Sequence, residues 1–271
     1  MMMKQILAAG LVVGALVAPL QAELKYTMKI EARPSSVPTP PPTNPVLGMI
    51  GAAVVSSMAP AGGLEMTVTV GERGTRVEYA KDYLIVPAGG ATIVRPDGSM
   101  IVTNPAARTY WQMAKPDLAA MGAKPVVTIK RTGEFSTVAG TRAERATMEI
   151  RVTLPVPAGA TLPSGIPAEM VMTGEAWLSD QYRQYSKMTS GMMGASALGF
   201  DAMANEGFVV RSIMRGEILG NQEVEAVVTS LAESAVPASL FDVPAGFREV
   251  PPPTGMAPSS TTSAPAAPAS R

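Results

Sequence analysis

The sequence lacks the side chains on which most enzyme mechanisms depend, since it contains no histidine and no cysteine. Their absence excludes Ser-His-Asp and Cys-His nucleophiles, CxxC redox pairs, imidazole or thiolate metal sites, and disulfides. No serine stands in a GxSxG turn or an SxxK arrangement. The glycines at residues 87–90 lack the spacing that cradles a phosphate.

Carboxylates are the remaining candidates for acid-base chemistry. Asp97 lies in the segment Pro96-Asp97-Gly98, where a tight turn already explains it. Glu175 and Asp180 are close in sequence, but one faces outward from a predicted strand and the other begins a predicted helix. We therefore predict no catalytic residue and no enzyme activity.

Methionine is the other chemically distinctive residue, with 19 copies. Met188, Met192 and Met193 carry the soft thioether sulfur that copper(I) prefers. Other methionines are spread along the apolar faces of predicted strands, where they fill a core. We therefore predict no metal site and no cofactor.

The first 22 residues have the pattern of a secretory signal peptide. Lys4 precedes an apolar run at residues 6–17, Pro19 interrupts it, and Ala22 provides a small residue for cleavage. The apolar run is shorter than the roughly 20 residues that span a bilayer. We expect a periplasmic protein of a Gram-negative bacterium, with no integral membrane span after cleavage.

The remaining chain carries 21 basic and 22 acidic residues. Such a balance provides no field that would attract nucleic acid or anionic lipid. We predict a single domain over residues 23–252, with a proline-rich linker and an apolar insertion at 33–63 and a disordered tail at 253–271.

Alternating apolar and polar residues predict strands over most of this domain. Residues 23–32 and 64–70 alternate most clearly. Residues 91–113 read as a meander in which Asp97-Gly98 forms the hairpin loop, pairing Val94 with Ile101 and Ile93 with Val102. Both faces of this hairpin are apolar, so each must be covered.

Further strands are predicted before and after this meander, and helices interrupt them. We expect strands at 75–80, 83–86, 126–134, 141–154, 169–178, 207–219 and 222–231. We expect helical segments at 46–58, 115–122 and 179–203, and loops at 33–45 and 155–167. This pattern predicts an α+β, mainly antiparallel β fold, with one curved sheet wrapped around helices.

Four segments give the sequence a family resemblance: IVRPDGSMIVTNPAARTYWQM, TIKRTGEFSTVAGTRAER, GEAWLS and FDVPAGFREV. In order and spacing they resemble a secreted bacterial family of unknown function that is itself similar to the LolA and LolB outer-membrane lipoprotein carriers. The resemblance spans residues 64–250. It implies a curved half-barrel sheet with helices lidding an apolar concave face, a surface that the carriers use to hold acyl chains.

Two functions therefore remain open, both without catalysis. The first is binding of a lipid, acyl chain or other apolar small molecule in a half-barrel cavity. The alternative is an envelope interaction or structural module with a filled core, which binds a protein partner through its sheet edge or proline-rich segments. The candidate cavity residues are Met28, Ile30, Met66, Val68, Met148, Ile150, Met170, Met172, Tyr182, Tyr185, Met188 and Met192.

Overall fold

The structure is a computed structural model, which describes residues 23–37, 45–113, 124–153, 167–190 and 200–253. Several expectations fall outside these ranges: the signal peptide, most of the loops at 33–45 and 155–167, the helix at 115–122, Met192 and Met193, and nearly all of the tail.

Twelve strands and three helices make up the described chain. The strands are β1 (Glu23–Pro34), β2 (Leu64–Gly71), β3 (Gly74–Tyr79), β4 (Ala91–Val94), β5 (Met100–Asn104), β6 (Thr109–Met113), β7 (Lys124–Val138), β8 (Thr141–Thr153), β9 (Glu169–Ser179), β10 (Phe208–Gly216), β11 (Gln222–Ser234) and β12 (Arg248–Glu249). The helices are α1 (Pro45–Met58), α2 (Arg183–Ser190) and α3 (Phe200–Glu206). Two short 3₁₀ helices, Glu217–Leu219 and Ala238–Phe241, follow β10 and β11.

All twelve strands belong to one sheet, in the order β12-β6-β5-β4-β3-β2-β1-β11-β10-β9-β8-β7. Every neighbouring pair is antiparallel except β12 with β6, which is parallel. The sheet is open, since β12 and β7 at its two ends do not pair with each other. The mainly antiparallel class predicted from the sequence is confirmed.

The alternation in β1 and β2 places one apolar face on the main core. Leu24 pairs with Val70 and Tyr26 pairs with Val68, and all four side chains are buried. Paired residues in antiparallel strands project to the same face, so matching alternation in both strands buries a continuous apolar surface.

The predicted register of the β4–β5 hairpin is wrong by one residue. Ile93 pairs with Ile101, and Val94 pairs with Met100. The loop contains three residues instead of two, because Gly98 adopts a left-handed φ of 84° and donates its amide to the carbonyl of Arg95 at 2.9 Å. This is the three-residue alternative to the two-residue hairpin loop.

Both faces of this hairpin are covered, as its apolar character required. Val94 and Val102 belong to the main core. Ile93 and Ile101 form a second, smaller cluster on the other face with Phe241, from the 3₁₀ helix after β11. The C-terminal segment therefore covers the side of the meander opposite the main core.

Helix α1 packs on the 3₁₀ helix Glu217–Leu219, whereas α2 and α3 pack on the sheet and both contact β10. Helix α1 begins at Pro45 and ends shortly before Pro60, and its Gly51 lies directly against the carbonyl of Ile218. Helix α2 contacts β2, β3 and β10, and α3 contacts β7 and β10. Among the described residues, no helix combines the length and apolar character needed to cross a bilayer.

Two further local expectations are wrong. Arg33 and Pro34 continue β1 instead of starting a linker. Beyond Ile30 the strand pairs with β11 alone, and Pro34 is the last residue of β1, so its missing amide does not break the pairing. Residues 83–86 form a tight turn and not a strand. In it the amides and carbonyls of Tyr83 and Val86 bond to each other, and Leu84 has a φ of 51°.

Candidate apolar ligand site

A cavity of about 330 Å³ lies where the centre of the sheet meets the helices. Its wall includes residues of β1, β10, β11, α1, α2 and α3, and of the turn at residues 83–86. Sites for small molecules usually enclose about 300–1,000 Å³ and are mainly apolar. The cavity is therefore the size of a small apolar ligand or of part of a longer chain.

A row of small side chains gives the sheet side of the cavity its depth. Ile30 of β1 lies beside Ala226 of β11, which lies beside Ser212 of β10. The row continues through Ala176 of β9 to Ala146 of β8. Because four consecutive strands contribute only alanine or serine here, the sheet surface is low next to Ile30, and Ala226 and Ser212 line the cavity.

Aromatic rings form another part of the wall. The ring of Tyr26 packs edge-on against Phe208, with centroids 5.3 Å apart, and both residues line the cavity. Tyr182 also packs against Phe208, with ring centroids 6.1 Å apart. Burial raises the pKa of Tyr26, so its phenol is neutral at physiological pH.

The helices and the turn provide the other walls. Ser57 and Met58 come from α1, Ser186 and Thr189 from α2, and Met203 and Ala204 from α3. The hydroxyl of Thr75 in β3 donates a 3.0 Å hydrogen bond to the carbonyl of Met188, which ties α2 to the sheet. Leu84 lines the cavity yet is 67% exposed, so it lies where the cavity meets solvent.

The predicted cavity residues occupy three kinds of position. Met28 and Ile30 line the cavity. The remaining strand residues pack in the core around it: Met66, Val68, Met148, Ile150 and Met172 are buried, and Met170 is partly buried. Tyr182 and Tyr185 are buried at α2, Met188 is 37% exposed, and Met192 lies outside the described residues.

Several wall residues were not picked out by the sequence patterns. Ser212 interrupts the inward apolar row of β10, and Ala226 is the smallest residue of the inward row Val224, Ala226, Val228 in β11, so hydropathy alone does not mark either residue. Ser186 and Thr189 of α2 also line the cavity, but the sequence pattern selected their neighbours Tyr185 and Met188 instead. The usable signal for Ser212 and Ala226 was small size at inward strand positions, which becomes informative only once the strand order is known.

The carboxylates that could act as acids or bases lie elsewhere and have structural partners. Asp97 accepts the backbone amide of Ser99 at 2.8 Å within the hairpin loop, and hydrogen bonding from Ser99 lowers its pKa. Glu175 accepts a hydrogen bond from Arg145 at 3.0 Å. Hydrogen bonding from Arg183 lowers the pKa of Asp180. Within the described ranges no cluster of three or more acidic side chains has the geometry of a metal site.

Comparisons with known proteins were made at the level of sequence and of structure. No protein-family model matches the chain, and no curated protein matches it significantly. Among solved structures, the chain is similar to PNGF-II, with a TM-score of 0.37 and 10% identity over 85% of this chain and 31% of that one. The chain thus spans about a third of that protein.

Two further solved structures match the chain over most of their own length. One is the LolA superfamily protein NE2245 from Nitrosomonas europaea, with a TM-score of 0.31 and 7% identity over 83% of this chain and 91% of that one. The other is the lipoprotein LppX from Mycobacterium tuberculosis, with a TM-score of 0.28 and 12% identity over 79% and 87%. The first of these two proteins is named for the LolA superfamily, which the sequence motifs also resemble.

Proposed function

We propose that this protein binds a lipid, an acyl chain or another apolar ligand in the cavity, and that it does so without catalysing a reaction. The observation that carries the proposal is a mainly apolar cavity bordered by residues of the hydrophobic core. An apolar core normally closes such space, because unfilled volume forfeits packing contacts. A cavity formed by alanine and serine in adjacent strands is instead suited to receive a ligand.

The proposal includes the shape of the fold. The open sheet forms a half-barrel, and α2 and α3, which contact β10, cover its concave face. Bending the sheet toward the helices brings β1, β10 and β11 opposite α1 and α2 around one void, consistent with the wall residues. With the predicted leader at residues 1–22, we place this activity in the periplasm.

Native mass spectrometry of the purified protein, combined with organic extraction, tests the proposal. We expect the wild-type protein to carry an extractable apolar compound, or to take up a neutral hydrophobic probe with one site per chain. A protein that is reproducibly empty and binds no such probe contradicts the proposal.

A pair of alanine substitutions on β11 makes this test specific to the cavity. Ala226 lines the cavity, whereas Ala232 is exposed. We expect Ala226→Trp to fill the void and weaken binding by about tenfold to a hundredfold, or about 1.4–2.8 kcal/mol of binding free energy. Ala232→Trp should leave binding unchanged. Equal effects of the two substitutions would mean that the ligand is held elsewhere.

An exposed edge strand favours a second candidate function. β7 is the last strand of the sheet, and it exposes Val126 and Phe135 by 59% and 52%. An unpaired edge with apolar side chains can accept a strand from a protein partner. A photo-crosslinker at Val126 that traps one stoichiometric partner in cells, with no ligand in the cavity, would support this candidate over the first.

A further inference from the structure

The polar groups of the cavity wall are few, and those of α1 and the turn are already used. The hydroxyl of Ser57 donates to the carbonyl of Val54 at 2.7 Å. The phenol of Tyr83 donates to the carbonyl of Ser57 at 2.6 Å. On α2, the hydroxyl of Thr189 donates to the carbonyl of Ser186 at 2.8 Å.

Ser186 differs from these residues. Its side chain is only 3% exposed, and its hydroxyl oxygen is buried without a hydrogen-bond partner in the described part of the chain. A serine within a helix can usually bond back to a carbonyl of the preceding turn. Leaving a buried hydroxyl unpaired is unfavourable, and such groups in native proteins call for an explanation.

The wall also lacks charge. None of the described residues that line the cavity is an aspartate, glutamate, lysine or arginine. An ionised carboxylate or phosphate inside would lose its hydration without gaining a cation, which is strongly unfavourable. A neutral hydroxyl or ester group has far less hydration to lose, and a hydrogen bond to Ser186 can replace it.

We propose that the ligand is a neutral amphiphile that enters with its polar end inward and hydrogen-bonds to Ser186 through a hydroxyl or ester oxygen. This inference rests on the proposed function, and it assigns the ligand a chemical class and an orientation. The apolar part of the ligand lies along the low row at Ala226 and Ser212 and leaves the cavity past Leu84.

Displacement of the neutral fluorescent probe N-phenyl-1-naphthylamine by three ligands of equal chain length tests the assignment. The ligands are 1-decanol, decane and decanoate, used at about pH 8, where the carboxylate is ionised. Comparing 1-decanol with decane in each variant cancels the general hydrophobic contribution, so the change in their affinity ratio reports the hydrogen bond alone.

Two serine substitutions in the same cavity provide the comparison. In Ser186→Ala we expect the affinity for 1-decanol, relative to decane, to fall roughly three- to tenfold. In Ser57→Ala we expect no change, because that hydroxyl already bonds within α1. Decanoate should bind the wild-type protein more weakly than 1-decanol. Ser186→Ala should unfold at or above the wild-type temperature, since it removes an unpaired buried group.

The outcomes separate this inference from the proposed function. If the wild-type protein binds neither the probe nor any ligand, both fail. If the ligands bind and Ser186→Ala leaves the ratio unchanged, the inference is overturned and the proposed function stands. An equal change in Ser57→Ala, or binding of decanoate as tight as that of 1-decanol, also overturns it.

Discussion

Glu223 of β11 is an acidic residue whose side chain is fully buried. Its carboxylate accepts hydrogen bonds from Arg33 at 2.6 Å and from Arg215 at 2.7 Å, and from the hydroxyl of Ser36 at 3.0 Å. Burial alone raises the pKa of Glu223, but these hydrogen bonds outweigh it and lower the pKa from 4.5 to about 2. The group ties the end of β1 to β10 and β11.

This lowered pKa predicts how stability depends on pH. Because the folded-state pKa lies below the unfolded value, the stabilisation is complete above pH 4.5 and is lost as the pH falls from 4.5 toward 2. We expect Glu223→Gln to lower the free energy of unfolding by about 1–3 kcal/mol at neutral pH. The difference from wild type should shrink over that acidic range, as measured by urea unfolding at a series of pH values.

Glu217 provides a control for this substitution. It is exposed and close to Glu223 in sequence. Glu217→Gln should change stability by no more than about 0.5 kcal/mol at any pH. A Glu223→Gln effect that stays constant down to pH 2 would mean that charge on Glu223 is not what stabilises the fold.

Sequence reasoning could not find residues of this kind. Glu223 and Arg33 are 190 positions apart. Glu223 looks like an ordinary residue of a predicted strand, and Arg33 falls in the predicted linker that follows β1. Ser186 is equally inconspicuous, since only its burial and lack of a partner distinguish it from any helical serine. Among the predicted cavity residues, Met28 and Ile30 do line the cavity, but a ligand-binding role for any of the twelve stays a prediction.

The positions of individual strands and hairpins were predicted from the sequence much more accurately than these residues. Alternation located β1 and β2 to within a few residues, because a two-residue period is a direct consequence of strand geometry. Because both faces of the β4–β5 hairpin are apolar, the sequence correctly predicted that other residues pack on each face. The one-residue register error arose because Asp97-Gly98 suits both a two-residue loop and a three-residue loop with Gly98 left-handed.

Phe241 connects this hairpin to the C-terminal segment, and its removal should loosen both. The side chain is 2% exposed and packs on Ile93 and Ile101. We expect Phe241→Ala to lower the free energy of unfolding by about 3–5 kcal/mol, as for other buried phenylalanines, in chemical denaturation. Hydrogen exchange should also quicken in β12, which pairs with β6 through only two residues.

Phe135→Ala is the matched control for this deletion. Phe135 is 52% exposed and contacts the guanidinium of Arg142, whose Cζ lies 3.8 Å from the ring centroid. Removing such a contact should cost no more than about 1 kcal/mol. If Phe241→Ala and Phe135→Ala lower the free energy of unfolding by similar amounts, burial of Phe241 in this cluster contributes no more to stability than a surface contact does.

At the scale of the whole molecule, β1 joins two meanders that are each sequential in the chain. β2 to β6 lie on one side of it and β7 to β11 on the other. This arrangement could not be derived from periodicity, because alternation specifies which face of a strand is buried and not which strand is its neighbour. The cavity could not be predicted for the same reason. The small side chains of Ala226 and Ser212 lie side by side next to Ile30 only because β1, β11 and β10 are neighbours in the sheet.

The central place of β1 predicts the order of folding. Pairs within the meanders are local, such as Met214 with Val224, whereas β1 pairs Ile30 with Ala226 near the other end of the domain. Closing so long a loop costs more entropy and slows the contacts that depend on it. In pulsed hydrogen exchange during refolding, we expect amides of the β4–β5 and β10–β11 hairpins to be protected before those of β1. Since Ile30 and Ala226 both line the cavity, binding of a neutral probe should appear with the late phase. Protection of β1 together with the hairpins, or probe binding ahead of β1, would contradict this order.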